Sequence, residues 1–505
     1  MGDRSESLRV TNTLTRQKEV FIPRDEGRVS IYTCGVTPYD ESHLGHARPA
    51  VFFDVVRRYL ASRGWQVRYV QNFTDVDDKI IARAQREGIP ALEISRRYAD
   101  EYLAAMDALG VRRADVYPKV SEHIPVIIEM VARLVEKGHA YVSGGDVYFA
   151  VESFPGYGKL SGQRLEEMMA GARVEVGEGK RHPADFALWK AARPGEPSWQ
   201  SPWGPGRPGW HIECSAMSLH YLGNHFDIHG GGLDLVFPHH ENEIAQSEAY
   251  TGDAPFVRYW LHNGLVTTRA EKMSKSLGNF ITVRALLKEY PAEFIRYLLL
   301  SVHYRSPLEF GADALAAARR GWERLLLGWQ ELNRRLETVM PSLPQATGAA
   351  TGPGIGATSP LAGVVRQTRE NFRRAMDDDW NTPVAISTLF ELTRSVNSLL
   401  HSGAELAGDT LTALAAARDL MRELGVELLG ILPADPHRAF GASAAGGTDD
   451  TAITTRLIEL LLEVREDARR RRDFVQADRI RDALGACGIV VEDTPAGPRW
   501  RFRGD

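Results

Sequence analysis

Residues 28–34, Arg-Val-Ser-Ile-Tyr-Thr-Cys, alternate in polarity, with Val29, Ile31 and Thr33 on one side, which predicts a strand. The period then changes. Phe52, Val55, Val56, Tyr59 and Leu60 form a single apolar stripe, predicting a helix from about His43 to Arg63 that Gly64 ends. A second strand is expected over 67–73. Strand, helix and strand together make a βαβ unit with a parallel sheet. His43 and His46 then stand on the first helical turn, just beyond the C-terminal end of a strand, where open α/β sheets bind their ligands.

Residues 120–208 break this pattern. They read as an insertion with a helix over 124–137, a strand over 146–151, and a stretch dense in Gly, Pro and Trp. The α/β core is expected to resume near Gly209. Beyond Pro291 the pattern is helical, with helices over 315–336, 380–400 and 411–429. Pro383 falls in the first turn of the second of these, where its missing N–H costs little. Residues 341–360 and 433–450 are rich in small and turn-forming residues and read as loose connections. A terminal module follows, with helices over 453–471 and 474–484 and a hairpin of 488–493 with 499–502. The expected fold class is α/β: a Rossmann-like parallel-sheet domain in two halves, 1–119 and 209–290, split by the insertion 120–208. An α-helical bundle (291–432), a linker (433–450) and a small mixed α/β module (451–505) come after it.

With 505 residues the chain is too long for one core, in keeping with this division. No apolar run is long enough to span a bilayer. The start is charged and lacks the apolar stretch of a secretory signal, and Glu6 stands where a myristoylation motif needs Ser or Thr. Three cysteines rule out a disulfide framework and suit a reducing compartment, so a cytoplasmic protein with no membrane partner is expected. A net charge of −5 does not exclude nucleic acid, because a local basic face is enough to bind it.

The candidate chemistry lies in four places. His43-Leu44-Gly45-His46 puts two imidazoles on one helix face. Free backbone N–H groups and the helix dipole are expected beside them, a setting for phosphate, with Gly45 allowing close approach of a nucleotide. Lys272-Met273-Ser274-Lys275-Ser276 offers ammonium charges and hydroxyls to a polyphosphate. Taken singly, these two motifs are equally compatible with a polar helix start and an exposed basic turn. Cys34, Cys214, His239 and Glu243 supply two thiolates, an imidazole and a carboxylate, a set that suits tetrahedral Zn²⁺. His240 with Glu243 is an alternative pair, and two buried structural cysteines beside a polar helix is the plain alternative. In His229 to Asp234, Gly230 and Gly231 would let adenosine approach the backbone and Asp234 would accept from a ribose hydroxyl, unless the glycines serve only a tight turn. Near the end, Arg465, Arg469, Arg470, Arg471, Arg472, Arg479 and Arg481 could follow a phosphate backbone, and Trp500 could stack on bases. Glu466, Asp467, Asp473 and Asp478 interrupt these arginines and leave open an ordinary solvated face.

The histidine and lysine motifs, in this order, resemble the two ATP-handling motifs of the class I aminoacyl-tRNA synthetases. The stretches 34–46, 72–79, 185–190, 209–217, 229–243, 272–279, 377–382 and 473–484 resemble the cysteinyl-tRNA synthetases in particular. The likeness covers nearly the whole chain, and its departures, such as Val36, Pro38 and Leu44, remove no functional group. It implies activation of L-cysteine by ATP with Mg²⁺, then transfer from cysteinyl-adenylate to the 3′ end of tRNA(Cys). It also implies one Zn²⁺ per subunit on Cys34, Cys214, His239 and Glu243, selecting the substrate thiol without an editing domain. His43, His46, Lys272 and Lys275 would be catalytic. Gly45, Gly230, Gly231 and Asp234 would join them in binding ATP, and Thr74 and Trp210 would line the cysteine pocket. The bundle would meet the anticodon stem, and Arg469, Arg470, Arg471 and Trp500 the anticodon, in a protein expected to be a monomer.

A rival with the same first half-reaction is the mycothiol-pathway cysteine ligases, which pass cysteine to a small amine and lack the extended C-terminus. A zinc hydrolase built on His239 and Glu243 would leave the Lys272 motif without a purpose. Persulfide formation with pyridoxal phosphate is not expected, because Lys79-Ile80-Ile81-Ala82 departs from the lysine-flanked form associated with it.

Overall fold

The polypeptide divides into two compact units, Met1–Phe440 and Gly441–Asp505. The computed structural model describes residues 8–163, 165, 179–268, 271–272, 280–339, 359–403, 406, 408–438, 450–471, 473–486, 489–494 and 497–502.

The first unit is organised by a parallel sheet whose strands lie in the order Val257–Asn263, Phe226–Gly232, Arg28–Thr33, Gln66–Gln71. The helix Leu44–Ser62 makes the crossover between the last two strands and buries Val51, Phe52, Val55, Val56, Tyr59 and Leu60. Helices Ile124–Glu136, Trp210–Leu222 and Glu241–Thr251 contribute to a second core that includes Tyr32, Val70, Phe226 and Trp260. The strict alternation expected along 28–34 therefore fails. Ile31, Tyr32 and Thr33 are all buried, because helices cover both faces of a parallel sheet.

The insertion carries an antiparallel sheet of Ala140–Ser143, Asp146–Phe149, Phe186–Ala191 and Gly206–Pro208. Its Val147, Phe149, Leu188 and Trp189 belong to the second core, so this sheet is not a separate globule. Several elements had no counterpart in the sequence pattern. They include the N-terminal hairpin Arg9–Asn12 with Gln17–Val20, helices Asp78–Glu87 and Ala91–Ala108, and the bundle helix Pro360–Asp377.

The bundle comprises Ala312–Val339, Pro360–Asp377, Thr382–Leu400 and Gly408–Met421. The last helix stops short of the expected 411–429 and continues as a wider turn over Arg422–Leu428. Two buried acid clasps hold bundle and sheet domain together. Asp54 on the crossover helix pairs with Arg296 at 2.8 Å and Arg58 at 2.9 Å, while Arg296 also donates to the Leu429 carbonyl at 2.9 Å. Asp379 accepts from Thr11 N–H at 2.8 Å, Tyr304 hydroxyl at 2.9 Å and Arg305 at 2.8 Å. The acid-rich stretch Asp377 to Asp379 is thus a structural joint.

The second unit packs helices Asp450–Arg470 and Phe474–Ala486 against the antiparallel hairpin Ile489–Thr494 and Gly497–Phe502. Ile458, Leu462, Leu484 and Ile489 form its small core. No helix among the described residues is long and apolar enough to cross a membrane.

Candidate active site

A cleft of about 510 Å³ opens at the C-terminal ends of the parallel strands. Its walls bring together Cys34, His43, Gly45, His46, Thr74, Trp210, Cys214, Gly231, Asp234 and His239, residues spread over some 200 positions of sequence.

At one end the sulfur atoms of Cys34 and Cys214 lie 3.7 Å apart. His239 Nε2 is 3.0 Å from Glu243 Oε1, and that oxygen is 3.4 Å from the Cys34 sulfur. A tetrahedral ion with ~2.3 Å bonds to sulfur would hold two thiolates about 3.8 Å apart and a thiolate and a carboxylate oxygen about 3.5 Å apart, so this donor set fits a four-coordinate divalent metal. His240 adds complexity. Cys34, His239, His240 and Glu243 place ligand atoms within 4.8 Å of one another, and His240 Nε2 is 3.2 Å from the Cys34 sulfur. His240 also belongs to a run of contacts: Thr13 Oγ1 to His262 Nδ1 at 2.8 Å, and His262 Nε2 to His240 Nδ1 at 2.8 Å. Read in one direction, each group donates to the next and the His240 Nε2–H donates to Cys34, which leaves that nitrogen no lone pair for a metal.

Supporting residues hold the other donors. Glu243 Oε2 faces His229 Nε2 at 2.8 Å, and His239 Nδ1 faces His211 Nδ1 at 2.9 Å. Burial alone would raise the Glu243 carboxyl, yet His229 and His239 hold it well below the usual carboxylate range. For His239 burial likewise opposes the charge, but Glu243 and the Cys214 thiol lift it to about 10. Burial pushes His211 far down, so it is neutral and accepts the His239 Nδ1–H, leaving Nε2 directed at the thiols. The Cys34 thiol draws Cys214 down to about 6, while burial pushes Cys34 itself up. Gly35 has no side chain because a Cβ there would sit 1.5 Å from the Asn72 carbonyl oxygen. Asn72 in turn accepts from Gly35 N–H at 2.9 Å and bonds Thr74 at 3.3 Å. Trp210, 40% exposed, stacks on the His239 ring at 4.4 Å.

At the other end the His43 and His46 rings stack at 3.8 Å. Here the structure corrects an expectation. The first helical N–H groups are not free for an anion, because the histidines cap the helix themselves. Gly45 N–H donates to His43 Nδ1 at 3.1 Å, and His46 and Ala47 N–H donate to the His43 carbonyl at 2.9 and 3.1 Å. Leu44 N–H donates to the Ile281 carbonyl at 3.2 Å, and His46 Nδ1 accepts from His43 N–H at 3.3 Å. With both Nδ1 atoms accepting, a ring proton is left to Nε2, so that donors come from the side chains in place of the backbone.

The glycines differ from expectation in a similar way. Gly231 and Gly232 line the cleft, but Gly230 does not. A Cβ on Gly230 would meet the Phe53 ring at 2.0 Å, so its smallness admits a core side chain. Lys275 lies outside the described residues, and of Lys272 only the backbone, in the strand Glu271–Lys272, is among them. The flanks of that motif are tied to the cleft. Thr267 and Thr268 pair with Lys272 and Glu271, and Val283 N–H donates to the Ser42 carbonyl at 2.8 Å beside His43.

Two further grooves carry arginines. One of about 1020 Å³ on the bundle is lined by Arg324, Arg334, Arg335, Arg394, His401 and His437. The sequence pattern gives no hint of it, since its arginines come from two helices some 60 residues apart. In the terminal unit Trp500 and Arg470 line a groove of about 790 Å³ with Glu459, Glu463, Glu466 and Asp467. The expected basic cluster is partly neutralised there. Arg470 pairs with Asp467 at 2.5 Å and Arg469 with Glu466 at 3.6 Å, Arg471 is exposed, and Arg465 is buried. Arg472 and Cys487 lie outside the described residues.

Comparison with known proteins agrees along the whole chain. The family described as tRNA synthetases class I (C) catalytic domain matches residues 20–320. A DALR domain matches 371–433, and the cysteinyl-tRNA ligase anticodon binding domain matches 456–501. The cysteine-tRNA ligase of Pelotomaculum thermopropionicum is 56% identical over 500 residues, covering 98% of this chain and 100% of that protein. That of Heliobacterium modesticaldum is 53% identical over 495 residues, covering 98% and 99%. Among solved structures, Mycobacterium tuberculosis methionyl-tRNA synthetase in complex with methionyl-adenylate superposes with a TM-score of 0.61 at 16% identity, over 81% of this chain and 92% of that one, a likeness of fold.

Proposed function

Because this chain belongs to the cysteine-tRNA ligase family of class I aminoacyl-tRNA synthetases, we propose that it joins L-cysteine to the 3′ end of tRNA(Cys) through cysteinyl-adenylate, at the expense of ATP with Mg²⁺. The observation that carries the site assignment is that the thiol–imidazole–carboxylate cluster and the stacked histidines open into one cleft.

Cys34, Cys214, His239 and Glu243 would hold a Zn²⁺ ion. His240 serves as a donor to the Cys34 sulfur rather than as a ligand, because its other nitrogen is engaged by His262. The bound ion supplies a site that prefers a thiolate to an alcohol and favours the ionised form of the substrate thiol, which separates cysteine from serine without editing. Trp210 and Thr74 wall the substrate side chain beside it. That placement leaves the carboxylate of cysteine toward His43 and His46. Their Nε2–H groups stabilise charge that develops on the α-phosphoryl group as the carboxylate attacks and pyrophosphate leaves. Lys272 and Lys275 neutralise the departing pyrophosphate, and Gly45, Gly231 and Asp234 border the adenosine. The bundle groove and the terminal unit, through Arg469, Arg470, Arg471 and Trp500, serve tRNA as a monomeric enzyme in the cytoplasm.

ATP–pyrophosphate exchange across all amino acids, followed by charging of total tRNA, tests this reading. Exchange with cysteine and charging of one isoacceptor family are expected. Exchange without charging would shift the assignment to a ligase with a small amine acceptor, and exchange with serine equal to that with cysteine would remove the metal-based selection.

A further inference from the structure

Asn263 ends the strand Val257–Asn263, opposite Gly232, and lines the cleft. It is 1% exposed, and neither its side-chain nitrogen nor its oxygen has a hydrogen-bond partner. A buried carboxamide unpaired at both ends is uncommon in a native interior and costs free energy unless something arrives to pair it. The backbone that follows is firmly mounted. Arg48, 2% exposed, donates to the carbonyls of Gly264 at 2.7 Å, Leu265 at 3.0 Å and His303 at 3.2 Å, and to that of Ser306. Gly264 N–H donates to the Tyr304 carbonyl at 2.8 Å. The unpaired amide therefore sits on rigid backbone, a setting for recognition rather than slack in the fold.

We propose that Asn263 reads the adenine base of ATP through its 6-amino edge, an inference that rests on the nucleotide reading of this cleft. A carboxamide offers one donor and one acceptor side by side in a plane. Adenine offers the matching pair, an exocyclic N–H with a ring nitrogen beside it, and asparagine pairs bidentately with that edge elsewhere. Phosphate offers acceptors alone and would leave the amide oxygen facing negative charge. The neighbouring lining, Pro49, Phe53, Leu265 and Val266, is apolar and suits the faces of a flat base. The phosphate end is already marked by His43 and His46, and Asp234 is the carboxylate placed for ribose.

The test compares ATP with purine riboside 5′-triphosphate, which lacks the 6-amino group, in cysteine-dependent pyrophosphate exchange. Asn263→Ala and Asn263→Asp should raise the KM for ATP roughly tenfold to a hundredfold, the cost of removing paired hydrogen bonds in a buried site. The KM for cysteine should stay within about twofold, because the thiol end is untouched. With purine riboside triphosphate, which keeps the ring nitrogen but lacks the 6-amino donor, both variants should lose clearly less against wild type than they lose with ATP, since one of the two hydrogen bonds is absent from the start. Equal losses with both nucleotides would reduce Asn263 to a structural residue, and an unchanged KM for ATP would remove it from recognition. Should the variants fail to fold, wild type alone decides: a preference for ATP of at least about tenfold over the riboside analogue is required, and equal use overturns the proposal. Absence of exchange with any amino acid in wild type would instead strike at the function itself.

Discussion

Around Cys34 the polar groups run in a connected chain, thiol to thiol, thiol to imidazole, imidazole to carboxylate, and carboxylate to a second imidazole, where only the outer His229 Nδ1 is left without a partner. In the same cleft the Asn263 carboxamide has no hydrogen-bond partner, and His43 and His46 stack on each other with each Nδ1 engaged by backbone N–H. The thiol end is pre-assembled, as the proposed thiol-selecting metal site would require to hold its ligands in fixed geometry. The proposed nucleotide end keeps one buried amide, that of Asn263, unpaired. Substitutions at the thiol end should therefore abolish selection and metal together, whereas those at the nucleotide end should slow the reaction with the metal still bound.

The largest effect is expected from Cys214→Ala. Metal content and cysteine-dependent exchange should fall together, the exchange by about 10⁴-fold, with circular dichroism unchanged. A variant that lacks metal yet exchanges normally would dissolve the distinction between the two ends. Next comes His46→Ala, which should lower the exchange rate about 10²- to 10³-fold while metal content and the KM for cysteine hold. Loss of metal in this variant would show that the ends are not independent.

The fold was legible where period and punctuation were strong. The stripe from Phe52 to Leu60 with Gly64 behind it marks the crossover helix to within a residue or two, observed as Leu44–Ser62. Helix Pro360–Asp377 was not legible, because Leu361, Val365, Phe372 and Met376 are thinly spread among arginines and polar residues. At the site, residue type offered the thiols, His239 and Glu243 as one set among alternatives, and the family resemblance singled it out. Spacing could not show that Val236–His240 forms a wide turn with an extended residue at Phe237, or that His240 reaches the same sulfur as Glu243. Arg48 and Asn263 escaped for a different reason. Each is one polar residue among others, and only its partners, or their lack, give it meaning. Asn263 follows His262 on a strand that also carries Arg258, so nothing in the polar pattern set it apart.

A smaller effect should separate mounting from chemistry. Asp54 lies on the helix that begins at His43, and Arg296, Arg58 and the Arg112 N–H surround its carboxyl. Burial would raise that carboxyl, but Arg296 and then Arg58 lower it below its ordinary value. A depressed folded-state pKa means that the stabilisation is present above the unfolded value of about 3.9 and fades as pH falls through the folded one. Asp54→Asn, which leaves Arg296 buried without a charge partner, should cost about 3 kcal/mol at pH 7. The gap in melting temperature between wild type and variant should hold from pH 7 to about 5 and close only below about 4. At temperatures where both are folded, exchange and metal content should match wild type. A change in one end alone would mean that this clasp tunes the site as well as the fold.

The smallest expected effect is a control that touches neither end. Trp500 is partly buried on a hairpin strand and borders a groove whose other charged lining is mostly acidic. Its ring is the one broad apolar face there, so Trp500→Ala should raise the KM for tRNA about tenfold, the usual cost of losing one base stacked on an aromatic ring. Arg470 is already paired with Asp467, and Arg469 with Glu466, so neutralising either releases an acid as well as removing a cation. Each of Arg470→Ala and Arg469→Ala should shift the KM for tRNA by less than about threefold, and Arg471→Ala, at an exposed cation, somewhat more. All four variants should leave cysteine-dependent exchange at the wild-type rate. A fall in exchange from any of them would mean that the terminal unit acts on the cleft, and the thiol and nucleotide ends could no longer be treated as complete in themselves.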